Sequence, residues 1–198
     1  MKTARRWGRL VSVLVTSLSV LTMSGMAVGV LLGSFADKAA LACDQVPGTP
    51  QPFEGKRHIA YSGEEHEPYR SMPPTSGPHS PRVVPPGIYR KPITEELQVH
   101  VLEHGHVMLQ YAPDVPADVV KEIERLGRQY PRDVVVAPYP KLGRGIALSG
   151  WQRSQRLDTL DEAAILAFVK AVPGRYDHQW RNGATDCLPP HPPAEGEN

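Results

Sequence analysis

The chain has 198 residues, with 22 Lys and Arg against 21 Asp and Glu, which is room for one ordinary domain plus appendages. Four of the basic residues (Lys2, Arg5, Arg6 and Arg9) precede an apolar stretch, so the remainder is mildly acidic, at about −3. With no basic stripe to neutralise phosphates, nucleic acid is not expected as a partner.

From the amino terminus, residues 1–9 form a basic flank, and Leu10 to Leu32 carries no charged residue. As a helix this stretch would extend roughly 34 Å, about the thickness of a bilayer core. It is longer than the roughly 7–15 apolar residues of a secretory signal, which favours a retained transmembrane helix. The alternative is a secreted protein cleaved near Ala40-Leu41-Ala42. Basic residues before the span place the amino terminus in the cytoplasm and all that follows outside the membrane. Residues 33–57 read as a linker.

The two cysteines, Cys43 and Cys187, lie near opposite ends of the exported part. In an oxidising compartment an even count reads as one disulfide, worth at most about 4–5 kcal/mol of unfolded-state restriction. They lack the C-x-x-C spacing of a redox pair.

The 21 prolines cluster between Val46 and Pro92 and again after Leu188, so irregular backbone should wrap the regular elements. Within it, Met72-Pro73-Pro74-Thr75-Ser76-Gly77-Pro78-His79 is a stiff loop that would hold His79 in a defined place. The acidic run around His66 reads as a solvated turn. Val99 to Tyr111 (VHVLEHGHVMLQY) reads as a strand with Val99, Val101, Val107, Leu109 and Tyr111 on one face. His100, Leu102, His104, His106 and Met108 then lie on the other, and Glu103 on the apolar side. A helix is expected over about Ala117 to Gln129, with Val119, Val120, Ile123 and Leu126 inward, stopped by Pro131. Asp133 to Tyr139 and Gly145 to Trp151 read as strands of an antiparallel hairpin. A last helix from about Leu160 to Val172, capped by Asp158 or Thr159, buries Ala164, Ile165, Phe168 and Val169. Residues 173–198 form a Pro-rich tail.

The order β-α-β-β-α after an irregular lead describes an α+β domain over residues 58–172, two helices packed on a small mixed sheet. It is also the order of the carboxyl-terminal part of a thioredoxin-like fold, without the redox motif.

The pair PPTSGPH (Pro73 to His79) and VHVLEHGHV (Val99 to Val107), followed by VVVAPYP, IALSGW and DEAAILAFV, resembles the DUF3105 family of bacterial membrane-anchored proteins. The resemblance covers roughly residues 58 to 172. It implies a single-span extracytoplasmic protein and points at His79, Glu103 and His104, with no established activity. The Pro-rich, Cys-bearing tail has no counterpart in that pattern.

On the strand reading, His104 and His106 stand roughly 6.5 Å apart on one face and can converge on a metal. His79 is the natural third ligand, and His100 joins if the strand bends at Gly105. Met72 and Met108 offer thioether sulfur; imidazole with thioether suits copper, imidazole with carboxylate suits zinc. Glu103 is then a buried hub or a group behind the ligands. Two alternatives stand beside metal binding. One is an envelope module docking a partner protein through Tyr61, Tyr69, Tyr89 and the Pro-rich loops. The other is a metal-assisted hydrolase with Glu103 as base.

Overall fold

In the computed structural model, residues 41–175 are described; the apolar span over 10–32, Cys187 and the tail from 176 lie outside them. No helix among the described residues is long and apolar enough to cross a membrane. The described residues from Ala42 onward form one compact unit. Its regular elements are β1 (Thr49–Pro50), β2 (Gly87–Ile88), α1 (Glu95–Glu103), β3 (Val107–Tyr111), α2 (Ala117–Arg128), β4 (Val134–Pro138), β5 (Ile146–Gly150), β6 (Arg153–Leu157) and α3 (Glu162–Ala171). The fold is mixed α+β, with a six-stranded sheet in the order β1-β6-β5-β3-β4-β2.

The first half of Val99 to Tyr111 is a helix, not a strand. Thr94 holds the N-cap position and Glu95 and Glu96 occupy the first turn, where negative charge complements the helix dipole. Gly105, at φ 77°, ends the helix. Its N–H bonds the Leu102 carbonyl at 2.9 Å and the His106 N–H bonds the Val101 carbonyl at 3.3 Å, the two bonds of a Schellman motif. The V-H-V-L-E-H run satisfies a period of two, but Val99 and Leu102 also satisfy a helical one, and the glycine stop decides between them. Gln98 to Glu103 are all buried.

Strand β3 is the centre of the sheet. It pairs parallel with β4, Leu109 opposite Val136, and antiparallel with β5, Leu109 opposite Leu148. The expected hairpin between the second and third strands is therefore corrected, because β3 lies between them. Helix α2 carries the chain over to β4 as a parallel crossover. A 3-10 turn, Pro140–Leu142, followed by left-handed Gly143 and Gly145, returns it to the far side of β3. The real hairpin joins β5 to β6 through Trp151 and Gln152. Strand β6 (RSQRL) has no apolar alternation, so the sequence pattern passes over it. The two expected helices are present together with α1, and Asp161 rather than Asp158 or Thr159 caps α3, accepting from Ala164 N–H at 2.9 Å.

Gly127 of α2 lies against Val136, so α2 covers the face formed by Leu109, Val136 and Leu148. The alternate residues Met108, Gln110 and Ser149 point the other way. Beside the sheet and α1 runs the strap over residues 71–80, in which Thr75, Ser76, His79 and Ser80 are buried. Its Thr75 carbonyl accepts from Gln152 N–H at 3.0 Å, and its Ser80 N–H donates to the Glu96 carbonyl at 3.2 Å. The lead segment is tied to the sheet by β1 and by Arg153, whose Nη1 donates to the carbonyls of Val46 at 2.8 Å and Gly48 at 2.6 Å.

A Cβ placed on Gly127 would overlap Val136 Cγ2 and lie 3.3 Å from Ile88 Cδ1. Alanine is the better helix former by about 1 kcal/mol, yet overpacking costs about 1–3 kcal/mol. Gly127→Ala should therefore lower the melting temperature; a higher one would show that α2 does not seat this closely on β4.

Candidate metal centre

Three separate segments meet at one point. His79 comes from the strap, His58 from the lead segment, and His100 and Glu103 from α1, where a spacing of three residues puts both on one helical face. Strap and lead are joined as a short parallel bridge pairing His58 with His79. His79 N–H donates to the Arg57 carbonyl and Ile59 N–H to the His79 carbonyl, each at 2.9 Å. This bridge carries both imidazoles to the same side.

The His79 ring is fully buried. Its Nδ1 lies 2.8 Å from the Gly77 carbonyl, and because a carbonyl only accepts, Nδ1 carries a hydrogen and donates. With Nδ1 committed to the backbone, Nε2 is the nitrogen turned toward the cluster, the arrangement that an outer hydrogen bond gives a metal-binding histidine. Nε2 lies 3.0 Å from Glu103 Oε2. The same oxygen is 3.5 Å from His58 Nε2 and 3.6 Å from His100 Nδ1. Ring centroids are 4.8 Å apart for His58 and His79, 5.4 Å for His79 and His100, and 5.6 Å for His58 and His100. The carboxylate oxygen thus faces three imidazoles arranged as a nearly equilateral triangle.

All four ligand atoms lie within 4.8 Å of one another. Ligand atoms bonded at about 2.1 Å to a tetrahedral ion stand about 3.4 Å apart. The three nitrogen-to-oxygen distances, 3.0, 3.5 and 3.6 Å, bracket that value, so the carboxylate oxygen already stands at ligand spacing from each ring, and closing on an ion is a matter of drawing the rings toward one another.

His100 Nδ1 is buried without a hydrogen-bond partner among the described residues. Its pKa is lowered to about 4, first by burial and then by His104 and His79, against the opposing pull of Glu103. It is therefore neutral at pH 7 and offers a lone pair. The indole of Trp151 stands edge-on to His79 at 6.4 Å and supplies an apolar wall.

The expected ligands divide. His79 and His100 converge, and Glu103 joins them directly. His104 follows α1 and stacks edge-on against His100 at 4.5 Å, outside the converging set. His106 sits past the helix stop, so the shared strand face of His104 and His106 does not exist. Met72 is exposed on the strap, and Met108 is buried within β3. His58 has no sequence signal, being a lone histidine after Lys56 and Arg57 that only the bridge to His79 brings into place. His66 pairs with Glu96 at 3.7 Å, in α1's first turn, four residues before His100. Ser76 accepts from Glu54 N–H at 2.9 Å and donates to the Pro52 carbonyl at 3.2 Å, so its hydroxyl ties the strap to the lead segment.

Residues 62–186 match a family described as a protein of unknown function, DUF3105. The chain belongs to the DUF3105 family. Its His79, His100 and Glu103 fall within the matched residues, and His58 lies four positions before them. No curated protein and no solved structure matches the chain.

Because the folded state lowers the His100 pKa below its unfolded value of about 6.5, the unfolded chain binds the proton more readily and stability rises with pH. The contribution is complete above about pH 6.5 and is lost as pH falls toward 4. Denaturant titrations of metal-free protein at pH 7 and pH 5 should show a loss that is smaller in His100→Gln. An equal loss in both proteins would mean that His100 is not held neutral by the fold.

Proposed function

We propose that this DUF3105 protein binds a single divalent ion, zinc, through His58, His79, His100 and Glu103. The domain would stand outside the cytoplasmic membrane, held by the apolar span over 10–32. The observation that carries the metal reading is the convergence of three imidazoles on one buried carboxylate oxygen. Burial makes negative charge costly at a carboxylate with about 5% exposure, and a divalent ion bound to its oxygen would add positive charge there. Three nitrogens and one oxygen are borderline-hard donors that suit zinc, and the set has no soft sulfur to favour copper.

The envelope-module alternative is less well supported, because its aromatic surface does not form as one patch. Tyr69 donates its hydroxyl to the Pro78 carbonyl and Tyr89 to the Pro85 carbonyl, leaving Tyr61 as the exposed aromatic of the three. The metal-assisted hydrolase reading is less well supported, because Glu103 joins the converging ligands and is not left to act as a base beside them.

Full-length protein purified in mild detergent, stripped with chelator and dialysed against zinc should carry close to one ion per chain by elemental analysis. His79→Ala and His100→Ala should each weaken binding about tenfold or more, while His106→Ala leaves it unchanged. Absence of stoichiometric zinc in the wild-type protein overturns the proposal. Export also implies that Cys43 and Cys187 are paired; the intact mass should then rise by one pair of hydrogens on reduction, and an unchanged mass would argue against the pairing.

A further inference from the structure

The four ligands are not equivalent. His79, His100 and Glu103 have side chains with 0%, 6% and 6% exposure, whereas the His58 side chain has 52%. The buried three are held from behind: His79 by the Gly77 carbonyl at 2.8 Å, His100 and Glu103 by the rigid turn of α1 and by burial. His58 is positioned through its backbone, by the bridge to His79. Among the described residues its ring has no hydrogen bond within normal reach, Glu103 lying at 3.5 Å.

Structural zinc sites are closed by four protein ligands, whereas reactive ones keep three and leave a position for an outside ligand. A half-exposed imidazole at the mouth of a site with three buried ligands fits the second pattern. A side chain can swing out into water there without disturbing the other three.

Resting on the zinc reading, we infer that His58 is an exchangeable ligand. The retained set is His79, His100 and Glu103, and the position that His58 takes is where a small anion from solvent binds the metal. The site is thus a Lewis-acid centre open on one side, and His58 competes with the incoming ligand for it. No bond within the protein is made or broken in this exchange, which replaces one donor atom on the ion by another.

Cobalt(II) in place of zinc makes the coordination visible by absorption, and azide serves as the probe anion. The full-length protein and its His58→Ala and His58→Gln variants are compared, with circular dichroism to identify folded protein. Both variants should keep close to one cobalt per chain, and azide should shift their spectra at a concentration about tenfold lower than in the wild type, equivalent to about 1.4 kcal/mol. Free imidazole should restore the wild-type spectrum to His58→Ala. Loss of cobalt from folded His58 variants would overturn the inference while leaving the metal site standing, since His58 would then be indispensable. An azide response equal in variant and wild type would overturn it too. A wild-type protein that takes up no cobalt or zinc would remove the underlying reading instead.

Discussion

The arrangement depends on one imidazole with both nitrogens committed. His79 donates from Nδ1 to the Gly77 carbonyl and presents Nε2 to Glu103 at 3.0 Å. The first contact is internal to the strap and sets the ring's orientation; the second crosses to α1. Through this side chain the Pro-rich segment is fastened to the helix, and the helix face carrying His100 is fastened to the strap. Ser80 N–H to the Glu96 carbonyl and Gln152 N–H to the Thr75 carbonyl hold the same segment on either side, so the ring is fixed from several directions.

That construction explains why a carboxylate and two imidazoles can be kept nearly dry. Polar groups taken out of water need partners, and here the partners come from segments with little regular structure of their own. The strap contributes backbone groups, the lead contributes its bridge, and the sheet contributes a rigid platform whose opposite face is covered by α2. Proline in the strap and lead lowers the entropy lost on ordering them. The Pro-rich composition and the polar centre are therefore two aspects of one design.

Burial also divides the labour among the histidines. His100, deep and surrounded by other imidazoles, is kept neutral by its environment, with a pKa near 4. His58, at the surface, remains in contact with solvent. A site with a dry floor and a wet mouth is suited to holding an ion while admitting a ligand to it, and the asymmetry follows from where the two segments enter the fold.

The sequence by itself determined the α+β class, the segments of β3, β4, β5, α2 and α3, and the family, and it offered a set of candidate residues in which His79, His100 and Glu103 stood beside His104, His106, Met72 and Met108. Those features are local: hydrophobic periodicity, glycine and proline punctuation, and two uncommon motifs. Thr94 and Gly105 even marked the ends of α1, but a run of alternating valines and histidines is compatible with two periods, and the strand period was the wrong one. Only the tertiary structure decided that His104 and His106 do not share a face, that β3 separates β4 from β5, and that β6 exists, because a polar strand is stabilised by its neighbours rather than by its own pattern. It also decided that His58 belongs to the cluster. Nothing within a few residues of His58 marks it, since its place comes from backbone pairing with a segment 21 residues away, and long-range pairing leaves no trace in local periodicity.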